Sequence, residues 1–124
     1  MPAHLLGGLL GVLALLGTAV APPSLQLRVR PQIALAPSDI YIEIRLVPHP
    51  TDRALSVAAE SANFSRASAW TLDGEHSQRL FSFWWKQLEA GDYTVIAAVG
   101  DGTGHWRARR ATTLRLIGES SAEF

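Results

Sequence analysis

From Leu25 to Ile117 apolar residues return at every second position, the period of a half-buried β-strand rather than a helix. Ile40, Ile42, Ile44 and Leu46 share one face of 39–48, with Tyr41, Glu43 and Arg45 on the other. A strand with one wet face belongs to an antiparallel sheet. The same alternation predicts a first strand over 25–35, with Leu25, Leu27 and Val29 inward and Pro31 interrupting an edge ladder. A third strand at 54–61 aligns Leu55, Val57 and Ala59, and a short fourth follows at 67–72. In 78–88, Phe81, Phe83 and Trp85 form the core face, leaving Leu80, Ser82, Trp84, Lys86 and Leu88 opposite. Tyr93, Val95, Ala97 and Val99 align next. In the last strand, 105–117, Trp106, Ala108, Thr112, Leu114 and Leu116 agree in phase, and a bulge at Arg109-Arg110 is expected to turn Arg110 outward.

Turn chemistry separates these runs: Ala36-Pro37-Ser38-Asp39, Pro48-His49-Pro50-Thr51-Asp52 and Asp73-Gly74. Gly100, Gly102 and Gly104 stand between two alternating runs, so they read as a tight hairpin. No helix follows them, as a phosphate-binding glycine loop requires. Seven strands, spaced about 8–14 residues apart over about 100 residues, predict a β-sandwich.

The run Leu88-Glu-Ala-Gly91-Asp-Tyr93-Thr-Val95, set between an aromatic strand and a strand-turn-strand, resembles the E–F corner of immunoglobulin-like and fibronectin type III-like domains of exported, bacterial proteins. The resemblance implies an all-β, immunoglobulin-like antiparallel β-sandwich over residues 22–118. It implies a structural corner of Leu88, Gly91 and Tyr93, with the Tyr93 hydroxyl bonded to backbone a few residues upstream. It also implies an accessory role rather than chemistry.

Composition adds an address. Residues Leu5 to Ala21 form an uncharged apolar run of 17 that closes on Ala19-Val20-Ala21, the small-x-small pattern of a cleaved signal peptide. The rival reading, a retained anchor, needs about 20 predominantly apolar residues, and four glycines dilute this run. The expected organisation is therefore a signal-peptide helix at 1–21, one sandwich domain and a flexible tail at 119–124, in a periplasmic or extracellular protein with no stable membrane insertion after cleavage. There is no cysteine, hence neither disulfide nor lipid attachment site. Eleven basic and eleven acidic residues give zero net charge, which removes the electrostatic case for nucleic acid. The local cluster Arg107-Ala-Arg-Arg110 reads as a charged strand edge that discourages pairing.

Candidate chemistry is sparse. His49, His76 and His105 fall in separate loops or strand starts, and soft ligands are lacking, so neither metal nor cofactor is expected. Asp92, Asp101 and Thr103 lack the spacing of a calcium loop. No Gly-x-Ser-x-Gly elbow is present, and no catalytic residue is assigned. Asn63-Phe64-Ser65 is a glycosylation sequon, meaningful only in a eukaryotic source. Trp84 is the exception: by phase it points outward beside Ser82 and Lys86, either to anchor a partner or to lie under a loop. The expected function is an exported non-catalytic module for protein–protein interaction or structural support in the envelope, its partner another envelope or secreted protein. The alternative is a small-ligand or carbohydrate-binding accessory protein using Trp84 and Tyr41.

Overall fold

The computed structural model describes residues 23–118; the expected signal segment and tail lie outside them. Eight strands form: β1 (Leu25–Arg30), β2 (Ile33–Leu35), β3 (Ser38–Leu46), β4 (Ala54–Glu60), β5 (Ser65–Thr71), β6 (Leu80–Leu88), β7 (Gly91–Gly100) and β8 (Trp106–Ile117). They pack as a three-stranded sheet, β1-β3-β6, against a five-stranded one, β2-β8-β7-β4-β5. This is an all-β, immunoglobulin-like sandwich. All pairings are antiparallel except β2 with β8, which is parallel.

The predicted first strand is two. The chain leaves the small sheet at Arg30, turns through Pro31, and joins the large sheet as β2, where Leu35 pairs with Ile117. Proline has no N–H for a ladder, so the break falls where a change of sheet costs least. The described residues thus hold eight strands, in keeping with the sandwich of about seven that was expected.

Alternation holds elsewhere because each strand must bury one face. Ile40, Ile42, Ile44, Leu55, Val57, Ala59, Val95, Ala97 and Val99 are fully buried, and every core residue lies between Leu25 and Leu116. Each fully buried large apolar side chain contributes about 1.5–3 kcal/mol. Phe81 and Trp85 are buried and Phe83 half-buried. Trp70 of β5 packs on Phe81 and Phe83, with ring centroids 5.4 and 5.2 Å apart. Trp85 Nε1 reaches Ser68 Oγ at 3.3 Å, and Arg66 Nη1 donates to the Lys86 carbonyl at 2.9 Å. Together these contacts close the side of the sandwich where β5 and β6 meet.

Three phase expectations are corrected. Leu88, expected on the outer face, is fully buried. A register shift between Ser38 and Ile40, with Gln87 at φ 54°, adds a residue to β6 and turns Leu88 inward. Trp106, expected inward, is half exposed, because β8 bulges at Arg107 rather than at Arg109-Arg110: Val99 pairs with Ala108, but Gly100 with Trp106. Arg110 stays in the inward phase and is nevertheless exposed. The strand lies at the margin of the large sheet, where the narrower one no longer covers it.

Candidate functional site

The outer face of the small sheet carries the residues singled out from the sequence. Ladder register sets Arg30 of β1, Tyr41 of β3 and Trp84 of β6 side by side in one row. The next row sets Arg28, Glu43 and Ser82 together. The Tyr41 and Trp84 rings lie 5.2 Å apart between centroids, tilted by 54°. Trp84 is 53% exposed. With Arg30 and Pro31 the two rings line a shallow, open depression.

Charges fix the surround. Lys86 Nζ stands 5.3 Å from the centre of the Trp84 ring, within the range at which a cation is attracted to an indole face. The same ammonium lies 3.5 Å from Asp39 Oδ2, while Asp39 Oδ1 accepts the Gln87 N–H at 2.9 Å. The Gln87 bond and the Lys86 charge together hold the Asp39 carboxyl below its ordinary range against slight desolvation. Asp39 therefore holds both the bulge and the lysine beside Trp84. Glu43 accepts from Arg45 Nε at 3.2 Å and from the Tyr41 hydroxyl at 3.5 Å, orienting the tyrosine.

At the corner, the Tyr93 hydroxyl donates to the Glu89 carbonyl at 2.7 Å. Burial, and then the nearby Glu89 charge, push the phenol's pKa up. A β-carbon on Gly91 would approach Ser61 Cβ to 3.3 Å and the Tyr93 ring to 3.4 Å, so glycine lets the strand start against the tyrosine. Leu88 is buried in the same core cluster as Tyr93.

One end of the sandwich gathers the loops that carry His49, His76 and His105. Asp73-Gly74 docks on the 49–53 turn through Gly74 N–H to the Asp52 carbonyl, and Arg53 bonds the Gly100 carbonyl. The three histidines do not converge. Among the described residues no group of three or more His, Asp or Glu side chains is placed to hold one metal ion. Asp101, Thr103 and His105 form a local cluster: Asp101 Oδ1 accepts from Thr103 Oγ1 at 2.7 Å and from Thr103 N–H at 2.8 Å, and Thr103 Oγ1 lies 3.0 Å from His105 Nδ1. These contacts are turn bonds. The hydroxyl points its proton at a carboxylate, and the imidazole is almost fully exposed, the reverse of an oriented nucleophile and base. Asp92, the other residue weighed for calcium, is bonded instead to Arg115 at 2.9 Å.

The same end holds a feature that sequence reasoning missed. Asp52 is the one fully buried charged side chain among the described residues. Its oxygens accept from Arg107 Nε at 2.6 Å, Arg107 Nη2 at 2.8 Å and His49 N–H at 2.9 Å; Arg107 Nη2 also reaches the Val47 carbonyl at 2.9 Å. Burial raises the Asp52 pKa, but the guanidinium bonds, the His49 N–H and the arginine's charge outweigh it and the net shift is downward. The bulge aims Arg107 at this site. The basic cluster is thereby divided: Arg107 is committed to Asp52, and only Arg109 and Arg110 remain at the expected charged edge. Along that edge β2 pairs only with Arg115–Ile117 of β8.

No family model and no curated protein matches the chain. Solved structures do. The sulfur carrier protein SoxY from Chlorobium limicola superposes with a TM-score of 0.52 at 15% identity, covering 84% of this chain and 93% of that one. A CARDB domain from Pyrococcus furiosus gives 0.50 at 14% identity, covering 79% and 98%. The superoxide reductase neelaredoxin from Ignicoccus hospitalis gives 0.50 at 11% identity, covering 77% and 80%. At such identities the likeness is one of fold.

Proposed function

We propose that this chain is an exported, non-catalytic immunoglobulin-like module that recognises another envelope or secreted protein through the outer face of β1, β3 and β6. The observation that carries the reading is Trp84: a half-exposed indole, seated against Tyr41 and flanked by Arg30 and Lys86. Tryptophan, tyrosine and arginine are the residue types on which interface energy concentrates. Rings already held by Tyr41, Glu43 and Lys86 lose less conformational freedom on docking. The surface is open, whereas a small molecule is normally held in a cleft that covers about 70–90% of it; a partner of protein size fits the shape better. Export is supported by the apolar run closing on Ala19-Val20-Ala21.

A carbohydrate is the second reading, favoured by the depression of Arg30, Pro31, Tyr41 and Trp84, where a sugar ring would stack on the indole and hydrogen-bond the guanidinium. Affinity capture from the native envelope fraction with wild type and Trp84→Ala, both checked by circular dichroism, separates the readings. A protein retained by wild type and lost by the variant supports protein recognition. Equal capture by both excludes Trp84 as the anchor. Capture by neither, with Trp84-dependent retention on a glycan array, transfers the face to sugars.

A further inference from the structure

The outer face of the large sheet is built differently. On its four long strands, Ser56, Ala58, Ala67, Ala69, Ala98 and Ala111 fill successive outward positions. They make a field of short side chains, with the half-exposed Trp106, paired with Gly100, standing at one corner. Near its middle stands Ile96, half-buried, between Ala58 on β4 and Ala111 on β8.

Two charges bound this field. Glu60 sits on β4 level with Thr94, and Arg109 on β8 level with Ala98. Both are exposed, and neither is ion-paired with any described residue. They are two strands and four residues apart, roughly 17 Å at the usual spacings of a sheet, too far to bridge within one chain. Ile96 is the midpoint of the line joining them: one strand and two residues from each.

We infer that this face docks a second copy of the chain, in a twofold dimer whose axis passes at Ile96. An axis in the plane of the face, perpendicular to the Glu60–Arg109 line at its midpoint, exchanges the two ends of that line. It brings Glu60 of each copy onto Arg109 of the partner subunit, and Ile96 onto its own equivalent, the self-complementarity that a twofold interface requires. The short side chains let two sheets approach to the spacing of about 10 Å usual for stacked sheets. Zero net charge leaves no whole-molecule repulsion to oppose the contact. Four strands of about seven residues present at most roughly 450 Å² per copy. That places the dimer in the small, transient class, below about 1,200 Å² in total, so it forms with rising concentration. The two Trp84 faces then point away from each other, and one dimer offers two of them; the inference does not depend on what those faces bind.

Sedimentation velocity of residues 22–124, which contain the whole core, tests this from low micromolar to near-millimolar concentration. Wild type is expected to pass from monomer to dimer, and Glu60→Arg and Arg109→Glu each to hold the monomer. The double charge swap is expected to restore the dimer, while Trp84→Ala dimerises as wild type. A wild type that stays monomeric overturns the inference. So do single swaps without effect, or a natively folded double swap that fails to reassociate.

Discussion

Asp52 shows how a single residue joins two parts of the chain that no local pattern connects. A buried carboxylate without partners is strongly destabilising, but this one is gripped by two N–H groups along one edge of the Arg107 guanidinium, Nε and Nη2, and by a backbone N–H. Because its folded pKa lies below the ordinary value, it contributes stability that is present above the unfolded carboxylate range and lost as pH falls through the folded value. The thermal midpoint should therefore drop as pH falls below about 4, and Asp52→Asn should flatten that dependence. Removing one partner strands the other: Asp52→Ala is expected to cost about 3 kcal/mol, the low end for a buried pair because Arg107 keeps some access to solvent. Replacing both, as Asp52→Leu with Arg107→Met, should cost less than the two single changes summed, read from urea midpoints. Strict additivity would mean that the two side chains do not act as a pair.

At the scale of elements, the hairpin joining β7 to β8 delivers Arg107. Gly100 makes this possible: a β-carbon there would stand 2.2 Å from the His105 carbonyl oxygen, so the strand could not bulge where it does. Gly100→Ala should destabilise by more than about 2 kcal/mol, with loss of the Asp52–Arg107 pair; a variant as stable as wild type by denaturant melt would contradict the assigned bulge. The strands themselves were legible because each keeps one wet face, and a period of two survives in the sequence as in Ile40, Ile42 and Ile44. Bulges were not. Leu88, Trp106 and Arg110 were misplaced because an added residue inverts the phase beyond it or because a strand runs past its cover, and neither event leaves a mark in local composition. Pro31 was visible as a break but not as a change of sheet. Trp84 and Tyr41 were each recognisable as outward aromatics; their adjacency depends on the β3–β6 register, which no pattern within either strand encodes. Asp52 and Arg107, 55 residues apart, offered no signal at all.

The whole molecule is a sandwich with two unlike outer faces. One is aromatic and charged, with a half-exposed indole held among fixed neighbours. The other carries short side chains around Ile96 between Glu60 and Arg109, with Trp106 at one corner. The loops at one end are tied together through Asp52, and among the described residues the histidines there join no group placed to hold a metal ion. The recognition proposed above uses a sheet face rather than these loops. Photo-crosslinking in the native envelope tests this most directly, with a photoreactive side chain placed at Ser82, beside Trp84, or at Ala58, on the opposite face. The account predicts an adduct with a different protein from position 82, abolished by Trp84→Ala, and only self-adducts from position 58. Foreign adducts from position 58 with none from position 82 would contradict it.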